Sequence, residues 1–334
     1  MPELTVAAGL ARSLTRFAVS KGADQETLLA RAGIALDDLQ DQDSRIPFDR
    51  YVKLMRSAAE LTNDPAFALH LGEVPDFAEV SIVGLIMLST ETMLDAFIQL
   101  NRFIGLVIET DCESDRFKLE HDDKVVWLID MRRNPDDFVE LTESAFSRLV
   151  VGGRRIGPAT LIKEVHVTHA APAYSAEYDR VFQVPVKFEA SKNALALDHA
   201  WLTAKVALQP RYAFGILSEH AEKLLKNLQD SKTTRGRVES LLMPLLHTGD
   251  VSMDKIAETM AISRQTLFRK LKDEGSTFEK VLDDLRHKLA LHYLNGKKVS
   301  ISETAYLVGF SEAAAFSRAF KRWTGKSPSE MRKS

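Results

Sequence analysis

The last third of the chain contains one helical pattern twice, and this repeat limits the possible folds more than any other feature. In residues 254–271, Ile256, Ala257 and Met260 are spaced three or four apart, and Leu267 and Leu271 are one helical turn apart. Ser263 stands where a serine commonly caps a helix. The spacing predicts a helix, a tight turn and a second helix.

The second copy lies 48 to 50 residues further along the chain. The corresponding pairs are Ala257 and Ala305, Met260 and Val308, Ala261 and Gly309, Ile262 and Phe310, Ser263 and Ser311, Leu267 and Phe316, Arg269 and Arg318, Leu271 and Phe320, and Gly275 and Gly325. Residues 278–294 between the copies predict a helix of about 26 Å, at about 1.5 Å per residue. Such a helix suits two units that enter successive major grooves, which lie about 34 Å apart on one face of DNA.

The second helix of the first unit leaves one face free of the predicted core. Arg264, Gln265, Phe268 and Arg269 occupy this face near the start of the helix. In a helix-turn-helix these positions meet base edges in the major groove, and arginine and glutamine suit guanine and adenine. For Phe268 a partly buried core position remains an alternative.

Charge is distributed unevenly along the 334 residues, although the total is only −3. Residues 231–334 contain 19 lysines and arginines against 12 acidic residues, a net charge of +7, and the first 230 residues contain 25 against 35, a net charge of −10. A basic module attracts phosphate, and an acidic one limits unspecific binding to nucleic acid. A solvated basic face without a partner is the alternative.

The first 230 residues predict a mixed α+β module. Apolar spacing predicts helices near the N-terminus, over 47–61 and 80–107, over 135–156 and over 212–228. Alternation or β-branched runs predict strands at 116–120, 125–129, 164–168, 186–190 and 194–197. The polar run 229–236 is typical of a linker. We therefore expect an α+β effector and dimerisation domain over 1–228, a linker over 229–236, and an all-α domain of two helix-turn-helix units joined by a long helix over 237–334.

The C-terminal region resembles the AraC/XylS family of regulators over about a hundred residues. The resemblance rests on Gly309-Phe310-Ser311, on the run from Phe316 to Gly325 and on Ser327-Pro328. It implies that Ala314, Ser317 and Arg318 face the groove from the second unit, and that Lys321, Arg322 and Lys326 lie near phosphates. The run 313–315 is three alanines, where the family commonly has a proline or a polar side chain, so we expect little direct base recognition by the second unit.

The front module resembles the arabinose-binding-type effector domain of a subset that includes ornithine-utilisation regulators. This resemblance rests on residues 81–97, on Glu177-Tyr178 and on residues 182–188. It implies a regulator that is switched by a small-molecule effector. The resemblance to the AraC/XylS family implies a contact with RNA polymerase. We further expect the separate α+β module to form a homodimer, and we expect an activator, with a repressor as the open alternative. Candidate effector-binding residues are Asn101, Arg102, Trp127 and Asp130, each of which fits a core or surface position equally well.

Other classes of function find little support in the sequence. An enzyme fused to such a DNA module would need a Ser-His or Cys-His pairing, and none is evident. Cys112 is the only cysteine, so no internal disulfide and no multi-thiolate zinc site are expected, and we predict no cofactor or metal. An architectural DNA-binding protein would leave the large acidic module without a role. Without a signal peptide or a long apolar run, we expect a cytoplasmic protein that joins the nucleoid when bound to DNA.

Overall fold

The computed structural model describes residues 4–74, 80–113, 115–156, 161–206, 211–249, 251–296 and 299–333. Contacts group the chain into two compact units, Met1–Leu225 and Lys226–Ser334. The end of the first domain at residue 228 and the start of the second at residue 237 stay predictions from the sequence. No helix in these described ranges is long and apolar enough to cross a membrane.

The first unit combines helices with two small sheets. Its helices are α1 (Ala8–Ser20), α2 (Gln25–Ala32), α3 (Phe48–Leu61), α4 (Phe67–Gly72), α5 (Ile82–Leu88), α6 (Met93–Val107), α7 (Val139–Ile156), α8 (Ser175–Phe182) and the start of α9 (Arg211–Ser231). Its strands are β1 (Thr5–Ala7), β2 (Arg45–Pro47), β3 (Phe117–His121), β4 (Val126–Asp130), β5 (Ile162–His166), β6 (Val186–Lys187) and β7 (Ala194–Leu197). The α+β prediction is confirmed.

The larger sheet has the strand order β3-β4-β7-β5-β6, and all its pairs are antiparallel except β5 with β6. All five strands lie within two residues of the predicted starts, because alternating apolar residues mark a half-buried strand. Val126, Leu128 and Leu195 of this sheet are buried in the core of the unit. The helices α5, α6 and α7 contribute to the same core through Ile86, Phe103 and Phe146, so the sheet and the helices share one apolar interior.

The second unit is helical. After α9 it contains α10 (Thr234–Leu242), a 3₁₀ turn (Met243–Thr248), α11 (Met253–Thr259), α12 (Arg264–Asp273), α13 (Phe278–Gly296), α14 (Ile301–Leu307), α15 (Ala313–Thr324) and α16 (Pro328–Lys333). The predicted pair of helix-turn-helix units is present as α11-α12 and α14-α15, with α13 as the predicted joining helix.

The polar run 229–236, which the sequence predicts as a linker, is largely helical in the structure. The helix α9 continues to Ser231 and α10 begins at Thr234. Thr233 caps α10 by accepting a hydrogen bond from the Gly236 amide at 2.9 Å, and Glu274 accepts the Thr234 and Arg235 amides at 2.7 and 2.9 Å. A distant carboxylate therefore satisfies amides that a loop would leave to water.

The two helix-turn-helix units have separate apolar cores that meet on α13. The first core includes Ile256, Leu267 and Leu271, and the second includes Val308, Phe316 and Phe320. The helix α13 contributes Val281 and Leu285 to the first core and Ala290 and Leu294 to the second. Leu289 packs against both. One continuous helix thus holds both units.

Candidate nucleic-acid interface and effector cavity

The turn of the first helix-turn-helix unit is defined by local hydrogen bonds. The Ser263 hydroxyl accepts the Thr266 amide at 3.1 Å and so caps α12, as predicted. The Ile262 amide donates to the Ala257 carbonyl at 3.0 Å, which closes α11. Ala261 between them has a φ of 54°, a left-handed conformation that few residues other than glycine adopt. The turn therefore orients α12 through its backbone.

The predicted groove-facing side of α12 is exposed to solvent. Arg264, Gln265 and Arg269 are all exposed, and Phe268 is 54% exposed, which rules out the core position that the sequence left open for it. Leu267 and Leu271 on the opposite side are buried. The Arg264 guanidinium donates to an Asp254 carboxylate oxygen at 2.7 Å across α11 and α12, and both side chains are mostly exposed. This face thus combines arginine, glutamine and an aromatic ring.

The second helix-turn-helix unit presents fewer side chains on α15 that can form hydrogen bonds with bases. Ala314 and Arg318 are exposed, whereas Ser317 is half-buried and its hydroxyl donates to the Ala313 carbonyl at 2.8 Å. The helix begins at Ala313 after Glu312, so Ser311 does not cap it as Ser263 caps α12. The one-residue shift of the repeat between Ser311 and Phe316 accounts for this difference. Arg318 is the only charged member of the predicted groove-facing set here.

Aromatic packing holds the second helix-turn-helix unit against α13. The rings of Phe310 and Phe316 lie 5.8 Å apart, and those of Phe316 and Phe320 lie 5.6 Å apart. Arg286 of α13 lies over the Phe310 ring at 4.8 Å and donates to the Gly309 carbonyl at 3.2 Å. Burial lowers the pKa of this arginine, although a guanidinium keeps its charge at neutral pH. The turn before α15 is thus fixed to the joining helix.

The predicted phosphate-contacting residues lie at the C-terminal end of α15 and just after it. Lys321, Arg322 and Lys326 are all exposed. Arg322 donates to an Asp283 carboxylate oxygen of α13 at 2.8 Å, in an exposed ion pair that contributes little to stability. A phosphate can compete with Asp283 for this guanidinium.

A cavity of about 380 Å³ lies inside the first unit. This volume is in the range of small-molecule binding sites. Its lining is formed mainly by α5, α6 and α7 and is largely apolar; it consists of Leu10, Tyr51, Gly72, Val74, Gly84, Met87, Leu88, Met93, Ala96, Leu100, Ile104, Val107, Ile108, Arg116, Phe117, Leu141, Ser144, Ala145, Arg148, Leu149, Val151, Gly152, Gly153 and Val206. In this described lining the charged side chains are two arginines and no acid.

One of these arginines belongs to a buried charge cluster. Arg116 lies 3.6 Å from an Asp130 carboxylate oxygen, and Arg132 donates to the same oxygen at 3.0 Å. All three side chains are at most 6% exposed. Burial lowers the pKa of Arg116, while Asp130 opposes that effect. Two guanidinium groups share one carboxylate, so the cluster has an excess positive charge.

The four candidate effector-binding residues all lie outside this lining. Both amide atoms of Asn101 bond to the Phe117 backbone, at 2.6 and 3.1 Å, and so hold the start of β3. Arg102 is exposed and pairs with Glu222. The Trp127 indole donates to Asp122 at 2.9 Å, and Asp130 pairs with the two arginines. Asn101 and Asp130 thus support Phe117 and Arg116, which do line the cavity, and the four residues are not its direct contacts.

The residues that sequence reasoning missed are Tyr51, Arg116 and Arg148. A signal for Arg148 exists, because it follows Leu141 and Ala145 at helical spacing on the apolar side of α7, where a charge is rare. Arg116 precedes a strand and looks like a surface residue in the sequence. Its position inside the cavity wall depends on pairing with Asp130, which is not visible in the local pattern.

Comparison with known proteins agrees with both halves of this description. The arabinose-binding domain of AraC transcription regulators matches residues 22–206, and a helix-turn-helix domain matches residues 256–334. The ornithine utilization regulator of Pseudomonas aeruginosa is 27% identical over 327 residues, which cover 96% of this chain and 94% of that protein. The transcriptional activator RhaS of Escherichia coli is 37% identical over 112 residues, 33% of this chain and 39% of that protein.

Among solved structures, the transcriptional regulator CdpR from Pseudomonas aeruginosa is 21% identical with a TM-score of 0.45, over 92% of this chain and 96% of that one. The arabinose-binding model alone spans more than half of the chain. The chain therefore belongs to the AraC family of transcription regulators, in the group with an arabinose-binding N-terminal domain and a helix-turn-helix DNA-binding domain.

Proposed function

We propose that this protein regulates transcription by binding a specific double-stranded DNA site through α12 and α15, under the control of a small molecule held in the cavity of the first unit. The observation that carries the proposal is the exposed face of α12. Gln265, Phe268 and Arg269 are exposed on this face, while the opposite side of the same helix is buried.

The joining helix supports binding by both units to one duplex. The 19 residues of α13 extend over about 28 Å at about 1.5 Å per residue. Because α13 is part of both cores, the two recognition helices are held by one rigid element. Successive major grooves on one face of DNA are about 34 Å apart, a spacing that two such helices can match.

The two units have different roles in this proposal. Gln265 and Arg269 can each form paired hydrogen bonds to a purine edge, and we assign direct base recognition to them. In the second unit Arg318 is joined by the methyl group of Ala314, which suits a thymine methyl group. Lys321, Arg322 and Lys326 would neutralise phosphates, which adds affinity without sequence preference.

A specific DNA site is first selected from random sequences by the purified protein. The test then compares Arg269→Ala, Arg269→Lys and Lys321→Ala in DNA titrations with this selected site and a scrambled site. Arg269→Ala should lose about 1 to 3 kcal/mol on the selected site, and Lys321→Ala should weaken both sites equally and reduce the salt dependence. Arg269→Lys is the matched control, because it keeps the charge but loses the paired geometry of the guanidinium. Equal losses on both sites for Arg269→Ala, or full rescue by lysine, would contradict base recognition by this residue.

The proposal also covers the oligomeric state of the protein and the direction of its regulation. We propose a cytoplasmic homodimer that activates transcription by contacting RNA polymerase. RhaS, which aligns with a third of this chain, is named as an activator, and this supports activation. Ile98 on α6 and Ile216 on α9 are about half exposed, and the Arg102–Glu222 pair joins these two helices, so we assign the dimer contact to the exposed sides of α6 and α9.

The dimer is tested by sedimentation of the full chain and of a double variant with Ile98→Ser and Ile216→Ser. We expect a dimer for the parent and a shift toward monomer for the variant. A parent that remains a monomer at all concentrations would contradict the dimer, and an unchanged dimer in the variant would place the contact elsewhere. Activation is tested with a reporter gene under the selected site, where reduced expression in the presence of the protein would indicate a repressor instead.

A further inference from the structure

We propose that the cavity of the first unit binds an organic monocarboxylate with an extended apolar body, whose carboxylate pairs with Arg116 and Arg148. The inference deepens the proposed function, because it names the chemical class of the effector and rests on the cavity being the effector site. Four observations carry it, namely the charge of the lining, the excess of guanidinium groups over carboxylates in the buried cluster, the presence of Tyr51 in the same lining and the apolar remainder of the wall.

The charge of the lining selects an anion. Both of its charged side chains are arginines, and no aspartate or glutamate belongs to the lining within the described residues. A cationic ligand would therefore meet like charge and find no carboxylate to pair with. Guanidinium groups bind carboxylates well, because their parallel N–H donors match the two carboxylate oxygens.

The buried cluster of Arg116, Arg132 and Asp130 has fewer carboxylates than guanidinium groups. Asp130 is the carboxylate that faces Arg116, and it is shared with Arg132. The buried Nε atom of Arg116 has no hydrogen-bond partner, and its Nη2 atom lies 3.6 Å from the Asp130 carboxylate, beyond hydrogen-bond distance. The nearby Cys112 thiol does not supply negative charge, since burial raises its pKa. Buried charges are usually paired, so an incoming carboxylate would satisfy donors that the protein leaves open.

The hydroxyl of Tyr51 is a further polar group in the lining that contains Arg116 and Arg148. The charges of Arg148 and Arg116 both act on the Tyr51 hydroxyl, although burial is the larger effect and raises the pKa of that hydroxyl to about 12. Tyr51 is thus a neutral donor in the same cavity lining as both guanidinium groups. A carboxylate head group held by all three would be buried with several charge-assisted hydrogen bonds.

The rest of the wall selects an apolar body. Apart from the two arginines, only Tyr51 and Ser144 bring a polar side chain to the lining, and the wall formed by α5 and α6 consists of aliphatic, methionine and glycine residues. A sugar would bury many hydroxyl groups there without partners, which is unfavourable. An aliphatic or alicyclic chain would instead gain from burial.

The first experiment is calorimetric titration of the full chain with decanoate, butyrate, decan-1-ol and decylammonium. We expect decanoate to bind most tightly. Each methylene group that decanoate has beyond butyrate should increase the affinity about fourfold, because burying one methylene group contributes about that factor. Decan-1-ol should bind more weakly than decanoate by about 10- to 100-fold, the range for hydrogen bonds to a charged group. Tighter binding of decylammonium or equal binding of decan-1-ol would overturn the proposal.

The second experiment uses variants of the cavity wall. Arg148→Met keeps the approximate length and removes the charge, so it should lose most of the decanoate affinity and retain decan-1-ol binding, which also shows that the variant is folded. Arg102→Met is the matched control, since Arg102 is exposed and lies outside the cavity lining. Unchanged decanoate affinity in Arg148→Met, or an equal loss in Arg102→Met, would overturn the assignment of the head group.

DNA titrations of the parent, with and without decanoate, separate this inference from the proposed function. Decanoate binding that leaves DNA affinity unchanged would support the cavity assignment and contradict effector control through it. No binding of any probe, combined with specific DNA recognition, would overturn the inference and leave the DNA-binding role intact. Binding together with a change in DNA affinity would support both.

Discussion

Gly309 lies in the turn between α14 and α15 and has a φ of 81°. Its amide donates to the Tyr306 carbonyl at 2.9 Å. A Cβ atom added there would lie 2.4 Å from the Leu246 carbonyl oxygen, closer than the 3.0 Å that real Cβ atoms essentially always keep. Leu246 belongs to the buried core of the first helix-turn-helix unit, so Gly309 is a point of close approach between the two units.

The Gly309→Ala substitution should destabilise the second helix-turn-helix unit by about 2 to 5 kcal/mol. The left-handed conformation contributes about 1 to 2 kcal/mol of this for a residue with a Cβ atom. The clash adds about 1 to 3 kcal/mol, because backbone rather than a flexible side chain has to move. At the corresponding position of the first unit, Ala261 has a φ of 54°, which indicates that alanine is tolerated where nothing obstructs its Cβ atom.

Gly325→Ala is the matched control for this prediction. Gly325 has a φ of 75° and no heavy atom within 4 Å of an added Cβ, so the variant has the conformational penalty alone, about 1 to 2 kcal/mol. Hydrogen exchange of the amides in α15, measured on the full chain by mass spectrometry, reports the local free energy of opening. Exchange should accelerate by about 30-fold or more in Gly309→Ala and by about 5- to 30-fold in Gly325→Ala. Equal acceleration in both variants would refute the steric argument.

Two further predictions concern a buried acid and an exposed aromatic ring. Glu143 accepts hydrogen bonds from Tyr174 and Tyr178, and burial raises the pKa of its carboxyl group. The folded chain therefore binds the carboxyl proton more tightly than the unfolded chain does. The stability that this proton contributes is lost as the pH rises through the raised pKa. Glu143→Gln keeps an acceptor and should therefore be more stable relative to the parent at pH 8 than at pH 5 in chemical denaturation, whereas parallel profiles would contradict the buried charge. Phe268→Ala should change the free energy of unfolding by less than about 0.5 kcal/mol and still weaken specific DNA binding, while Leu267→Ala should lose about 2 to 5 kcal/mol of stability. If Phe268→Ala lowered the free energy of unfolding as much as Leu267→Ala, the Phe268 ring would stabilise the fold.

Features that depend on neighbours in the chain were predicted well. The cap at Ser263 and the limits of the joining helix follow from local spacing and capping chemistry, and the structure confirms both. The exposure of the α12 face follows for the same reason, because burying Leu267 and Leu271 orients the remaining side chains of one helix outward. The roles of these side chains in DNA binding stay predictions.

Features that depend on distant partners were not predicted. The run 229–236 has a composition that suits a loop, but its amides are satisfied by Thr233 and by Glu274, some forty residues away. Arg116 has the local pattern of a surface residue, but its burial depends on pairing with Asp130. Composition and local pattern describe each residue alone, whereas these outcomes depend on which hydrogen-bond or ion-pair partner the fold brings within reach.

By itself, the sequence determined that this protein has two helix-turn-helix units on a joining helix behind an α+β module, because periodic burial and helix caps act over three to five residues. Only the tertiary structure decided where a small molecule could be held. The cavity wall is built from residues as far apart as Leu10 and Val206, and its charge depends on one buried carboxylate that two arginines share. Electrostatic balance in a buried site is a property of all the groups that packing brings together, and no local segment contains it.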